Sequence, residues 1–206
     1  MKSAGRMTVV EAVARGFEEH IALARTMEAV YGDIERAARK IVEALRAGQR
    51  LLLMGNGGSA ADAQHWAAEW IVRLNAALSR PALPALALST DTSILTAAAN
   101  DIGYDNVFAR QLEAHARQGD VAILISTSGR SENLLRAART ARAQGVGTVG
   151  ILGKGGGPLA ALCDVAVIVP SDDTQHIQEM HEVIGHLLCG ISEQALYGEG
   201  FEDAHL

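Results

Sequence analysis

Between residues 8 and 47, apolar side chains recur every three or four positions: Val13, Phe17, Ile21, Met27, Val30, Ile34, Ile41 and Leu45. That is the period of an amphipathic helix. It predicts helix through this stretch, with a break at Gly32 and Asp33 and a stop at Gly48. From residue 50 the pattern changes. Short apolar runs at 50–54, 83–88, 121–125, 148–152 and 165–169 read as buried strands. Helical patterns at about 59–74, 91–118, 131–144 and 158–163 separate them, and a last long helix covers 173–197. Strands apolar on both faces, alternating with helices, predict an α/β fold: a parallel five-stranded sheet flanked by helices on both faces, with an N-terminal helical extension. The expected organisation is N-terminal helices at 1–47, one α/β domain at 48–198 and a polar tail at 199–206.

Composition narrows the chemistry. Hydrophobic residues make up 49% of the chain but aromatic ones only 4%, so the core has to be built from Ala, Val, Leu and Ile. A net charge of −6 without any basic run argues against a broad nucleic-acid surface, though not against a small phosphate held by a few amides and hydroxyls. No apolar stretch approaches the roughly 18 residues of a membrane span. The start carries no secretory pattern, and Cys163 and Cys189 are too few for a disulfide framework. Together these features predict a cytoplasmic protein with two reduced thiols and no membrane or nucleic-acid partner.

Two strand-to-helix loops carry the chemistry. The first, GNGGSA at 55–60, fits G-x-G-x-x-G/A, which raises a dinucleotide site. Such a site needs an acidic residue about 20 positions on to hold a ribose. The chain has Leu74, Asn75 and Ala76 there, so the fingerprint is weak, and a purely structural glycine turn stays open. The second loop, STSGRS at 126–131, places four hydroxyl residues among six, directly after a buried strand. An N-cap needs one such residue. Four, at the positive end of a helix, suit a bound anion. No Gly-Lys-Ser/Thr follows either loop, so a single phosphoryl group is a better match than a nucleoside triphosphate.

Behind the first loop, His65 and Glu69 stand four apart on one helix face, which suits joint metal binding or joint catalysis as well as mere packing beside a solvated charge. In the last helix, QEMHEVIGH at 178–186 invites an HExxH reading, which fails because position 185 is Gly. His181 and His186, five apart, are rotated about 140° from one another and cannot share a face.

The pair GNGGSAADAQH and STSGRS, on alternating strands behind a long helix, resembles the sugar isomerase (SIS) domain family, and within it the phosphoheptose isomerases. STDTSIL at 89–95, Asn100-Asp101 and IQEMH at 177–181 match as well, and the resemblance runs from about residue 10 to 197. It implies interconversion of sedoheptulose 7-phosphate and D-glycero-D-manno-heptose 7-phosphate through an enediol, the first step toward nucleotide-activated heptose for lipopolysaccharide or other surface glycans. It implies one zinc per subunit on His65, Glu69, Gln178 and His186. Gln is a poor zinc donor, and Gln178 and His186 lie about 12 Å apart along an ideal helix, so both reach one ion only at full stretch, through an irregular helix, or from different subunits. The resemblance leaves His181 a role in packing or in supporting the ligands from behind, not as a ligand.

The catalytic residues implied are Glu69, as base for C–H abstraction, and His186, as proton shuttle between oxygens. Zinc would stabilise the developing oxyanion. A zinc-bound carboxylate is a weaker base, so Glu69 ligates at some stages only, with His65 next in line as base. Sugar and phosphate contacts fall on Asn56, Ser59, Asp91, Thr92, Ser126, Thr127, Ser128, Ser131 and Gln178. Arg73 would approach a neighbouring subunit's site in a homotetramer with inter-subunit active sites. At position 175, where some members carry an acidic substrate contact, this chain has Gln175. The rival reading is a non-catalytic SIS adaptor that binds a replication initiator protein. Such adaptors keep both loops but lack the His of the last helix, and this chain has His186.

Overall fold

In the computed structural model, which describes residues 7–198, the helical extension is two helices, α1 (Val9–Thr26) and α2 (Tyr31–Arg46). The break between them is a 3-10 turn at Met27–Val30, not the predicted Gly32–Asp33. Met27 and Val30 are buried, so packing, rather than glycine's weak helix preference, fixes where the chain bends. Gly48 ends α2 with φ +74°, as its position predicted. The predicted tail at 199–206 lies outside the described residues.

Strand and helix then alternate: β1 (Leu51–Gly55), α3 (Gly58–Ile71), β2 (Ala85–Ala87), α4 (Thr92–Asp101), α5 (Val107–His115), β3 (Val121–Ser126), α6 (Glu132–Ala143), β4 (Gly147–Leu152), α7 (Gly157–Ala160), β5 (Val165–Ile168) and α8 (Thr174–Tyr197). The helix expected over 91–118 is two helices separated by Gly103, whose φ of +83° no helix accommodates, and a short 3-10 turn at Tyr104–Asn106. The helix expected over 158–163 is the single turn α7, preceded by a 3-10 turn at Lys154–Gly156, and α3 stops three residues earlier than the periodicity suggested.

All five strands are parallel, in the order β2-β1-β3-β4-β5. β1 shows why its sequence has no polar alternation. Leu51 and Leu53 enter the core shared with α2, α3 and α8, while Leu52 and Met54 enter the core on the other face with Phe108, Leu112 and Leu134. The chain reverses its direction of travel across the sheet between β1 and β3. The C-terminal ends of those strands are therefore the topological switch point, where open α/β sheets bind ligands. Both loops singled out in the sequence leave from there.

Two contacts set α8 against α3. Gly185 lies against the fully buried Trp66 indole, and a Cβ at 185 would overlap the ring. That is why position 185 holds Gly rather than the second His of an HExxH motif. Below it, Arg80 and Glu193 form an ion pair at 2.8 Å with both side chains 1% exposed. Glu193 accepts the main-chain N–H groups of Leu74 and Asn75, and Arg80 donates to the carbonyls of Glu69 and Trp70 at the end of α3. The orphan carbonyls at the end of α3 are thus satisfied by Arg80, which Glu193 of α8 holds in place.

α1 differs from every other long helix. A Thr8–Glu11 capping box starts it, yet it buries no residue, and Val9, Val13, Phe17 and Ile21 all stay exposed. Its polar side meets α8 through His20 and Glu179 at 2.8 Å and Glu19 and His176 at 3.2 Å. Among the described residues, no helix is long and apolar enough to cross a membrane.

Removing one partner of a buried ion pair leaves the other charge uncompensated. Glu193→Ala is expected to lower unfolding free energy by about 3–5 kcal/mol, as read by denaturant titration at constant protein concentration. A loss under 1 kcal/mol would show the pair to be dispensable.

Candidate functional site

Helix α3 begins where the first loop ends, and its third and fourth turns carry His65 and Glu69 toward α8. Because α8 is drawn in at Gly185, its next residue, His186, comes directly opposite. The two imidazole Nε2 atoms are 3.0 Å apart. Glu69 Oε1 lies 3.3 Å from that of His65 and 3.4 Å from that of His186. Both rings are about half exposed, whereas the Glu69 side chain is 12% exposed. The second oxygen of Glu69 is buried without a hydrogen-bond partner among the described residues. Behind it, burial and the Glu69 carboxylate push the Cys189 thiol far up, and burial pushes Cys163 to about 12, so neither offers a thiolate.

The cluster has a further member that sequence reasoning missed. Glu182 Oε2 lies 3.9 Å from His65 Nε2 and 4.0 Å from His186 Nε2, and accepts a hydrogen bond from Trp66 Nε1 at 3.1 Å. His65, Glu182 and His186 together have the separations of a metal-ion site. The signal was present: Glu182 and His186 repeat on α8 the four-residue spacing of His65 and Glu69 on α3. Beside Glu182, burial raises the carboxyl of Asp62 to about 7, with the Glu182 carboxylate adding to the shift. Gln178, grouped with the ligands by resemblance, has its amide over the Cα of Gly58, at the opposite end of α3 from Glu69. It lines a cleft of about 630 Å³ with Gly58, Asp62, Gln175 and Glu182. His181 is fully buried, and burial holds its pKa down at about 4. The Leu152 carbonyl lies near it but not in hydrogen-bonding geometry, so it is a neutral core residue.

The loops are built as the sequence suggested, with a connection it did not reveal. Asn56 and Asn133 exchange amide hydrogen bonds at 3.0 and 2.8 Å, and the Tyr104 hydroxyl also donates to Asn56. Asn133 belongs to α6, so the loop after β1 is clasped to the helix that follows the loop after β3. Ser59 is buried in the first turn of α3 against Gly55, where a Cβ would strike its carbonyl. In the second loop, Ser126 Oγ accepts the Gly129 N–H at 3.0 Å and Ser128 Oγ the Arg130 N–H at 3.3 Å. With their oxygens accepting, both hydroxyls keep a proton to donate. Ser131 is the N-cap of α6 without a side-chain capping bond, which leaves its hydroxyl and that of Thr127 available to an anion. Gly129 has φ +61° and sits against the Gly156 carbonyl, so the glycine run after β4 backs the loop.

The remaining predicted contacts lie further out. Asp91 caps α4 by accepting the Ile94 N–H at 3.0 Å, and Thr92 opens that helix on its exposed side. Arg73 is exposed just past the end of α3.

The SIS domain family matches residues 17–153. A phosphoheptose isomerase from Trichlorobacter lovleyi is 48% identical over 90% of this chain and 94% of its own length. One from a Geobacter species is 53% identical over 81% of this chain and 86% of its own. Among solved structures, the phosphoheptose isomerase of Francisella tularensis superposes with a TM-score of 0.87 at 34% identity, covering 91% of this chain and all of that one.

Ser128→Ala is expected to weaken binding of a phosphomonoester by about 1.5–3 kcal/mol, the usual cost of a hydrogen bond to a charged group. Calorimetry with the unphosphorylated analogue should show no change. Equal losses with both ligands would make the loop structural only.

Proposed function

Because the chain belongs to the SIS-domain family, in its phosphoheptose isomerase branch, we propose that it interconverts sedoheptulose 7-phosphate and D-glycero-D-manno-heptose 7-phosphate by proton transfer through an enediol. The observation that carries this reading is the convergence of His65, Glu69 and His186 between two helices, beside a hydroxyl-lined loop at a helix start. The same convergence disfavours a non-catalytic adaptor, which has no use for His186 opposite Glu69.

The phosphate is held by Ser126, Thr127, Ser128 and Ser131, with Asn56, Ser59, Asp91, Thr92 and Gln178 as the sugar contacts. The carbon to be deprotonated has to lie at the Glu69 carboxylate. Glu69 takes a proton from C1 of the ketose and returns it to C2. His186 takes the proton of the O1 hydroxyl and gives one to O2, so atoms and charge balance without any external oxidant or reductant. The half-exposed imidazole of His186 can reach substrate oxygens, while the enclosed carboxylate of Glu69 is shielded from bulk water.

Two imidazole nitrogens and a carboxylate oxygen within 3.0–3.4 Å of one another suit a divalent cation, and this donor set favours zinc. We assign one zinc per subunit to His65, Glu69 and His186, with Gln178 as the fourth ligand that the resemblance implies. When bound, it supplies Lewis-acid stabilisation of the enediolate charge.

The exposed stripe of Val9, Val13, Phe17 and Ile21 supports assembly through α1, and we assign a homotetramer in which Arg73 faces a neighbouring site. Two free cysteines fit a cytoplasmic location, where the product would feed synthesis of nucleotide-activated heptose for surface glycans.

Glu69→Gln is expected to lower kcat by about 10²–10⁴ with substrate affinity little changed. In D₂O the wild type should place deuterium at C2 of the aldose, followed by NMR, and the variant should lose exchange in step with turnover. Near-normal turnover in the variant would remove Glu69 from the base role. Phe17→Glu should shift the mass measured by light scattering toward smaller species, and an unchanged tetramer would exclude α1 from the interface.

A further inference from the structure

The clasp between the two loops leaves Asn56 little to offer a ligand, and fixes what that is. A side-chain amide has two N–H donors and an oxygen with two acceptor lone pairs. Asn56 Oδ1 accepts from Asn133 Nδ2 at 2.8 Å and from the Tyr104 hydroxyl at 3.2 Å, so both lone pairs are taken. Asn56 Nδ2 donates to Asn133 Oδ1 at 3.0 Å. In such a reciprocal pair each amide uses the N–H on the same side as its own oxygen. The N–H on the far side is left over. Asn133 is buried while Asn56 is half-buried, so the edge of the pair that can meet a ligand belongs to Asn56.

We propose that Tyr104 is a positioning residue for the sugar: its hydroxyl fixes the Asn56 amide so that the remaining N–H meets a hydroxyl or carbonyl oxygen of the substrate. The inference rests on the reading of Asn56 as a sugar contact in an isomerase site.

Paired with Asn133 alone, Asn56 would have two equivalent arrangements. Turning both amides over restores the same pair of hydrogen bonds with oxygen and nitrogen exchanged. One arrangement shows a ligand an N–H, and the other shows it an oxygen. Tyr104 breaks the tie. A phenol is a strong donor and a poor acceptor, because its lone pair is drawn into the ring, so it selects the arrangement with the Asn56 oxygen toward itself. The free N–H then lies on the opposite edge of the amide. Tyr104 is itself held in place. Its 3-10 turn at Tyr104–Asn106 is tied to α6, the helix that carries Asn133, by Arg136. That guanidinium donates to Asn106 Oδ1 at 2.8 Å and lies 3.7 Å from Asp105. The Tyr104 ring stays 47% exposed, so it fills no gap in the core, and its hydroxyl is the part with a defined contact. A donor aimed before the sugar arrives lowers the ordering cost of binding.

The test is a double-mutant cycle on the full chain, read by steady-state kinetics with sedoheptulose 7-phosphate and by thermal melting. Tyr104→Phe keeps the ring and removes the hydroxyl. It should raise KM about three- to tenfold, keep kcat within about twofold and leave Tm unmoved. Asn56→Ala should raise KM at least as much, with Asn56→Ser as the reference if the alanine variant melts early. Adding Tyr104→Phe to either should cost nothing further, because Tyr104 acts only through Asn56. Inhibition by inorganic phosphate should be the same in Tyr104→Phe as in the wild type, since the serine-loop hydroxyls are outside the clasp. A KM rise accompanied by a lower Tm would make the hydroxyl structural and overturn the proposal. Additive losses in the double variant would put Tyr104 on the sugar itself, and weakened phosphate inhibition would put it behind the phosphate loop; either overturns the proposal too. A wild type that does not turn over sedoheptulose 7-phosphate sinks the isomerase reading and this inference with it. A wild type that turns it over, with Tyr104→Phe unchanged in KM, sinks this inference alone.

Discussion

The close approach of α8 to α3 is the constraint on which the site depends. A helix pair normally stands 8–10 Å apart, held off by its side chains. Here Gly185 removes one side chain and Trp66 fills the space from the other helix. His65, Glu69, Glu182 and His186 are each placed by ordinary helix geometry, but only this crossing makes them neighbours. The buried pair of Arg80 and Glu193 holds the far end of the same crossing, satisfying backbone groups where α3 stops. Buried charges are costly unless fully hydrogen-bonded, and these two have between them the partners they need.

The switch point of the sheet supplies the second half of the site. A parallel sheet whose connections reverse between β1 and β3 leaves a crevice at their C-terminal ends, and both loops open into it. The Asn56–Asn133 clasp makes those loops one unit. A glycine run with positive φ packs behind Gly129 and keeps the serine loop from collapsing onto the sheet.

Most of the fold was legible because burial on both faces erases polar alternation, so each central strand stands out as an apolar run between helical periods. The edge strand was the hardest to bound. Its run at 83–88 shrinks to Ala85–Ala87 because only one neighbour pairs with it. The helix break at Met27–Val30 escaped notice since buried apolar residues mark it rather than glycine. His65 with Glu69 and the STSGRS loop could be read directly, being local in sequence. Asn133, Tyr104 and the Arg80–Glu193 pair could not, because each acts through a partner more than 45 positions away. Spacing within one helix proposes a ligand. Only a helix crossing selects among the candidates.

The first long helix has a consequence that reaches beyond shape. With no residue buried in its own protomer, α1 gains little from packing, and a lone helix of 18 residues is marginal in water. Its order has to be drawn in part from whatever covers its apolar stripe. If that cover is another copy of the chain, mass action enters: dilution removes the cover, and the helix loosens along with its hold on α8 at Glu179 and His176. Glu179 is three residues from Glu182 on the same helix. The state of a distant, chemically silent segment then becomes a variable of the site, set by how much protein is present.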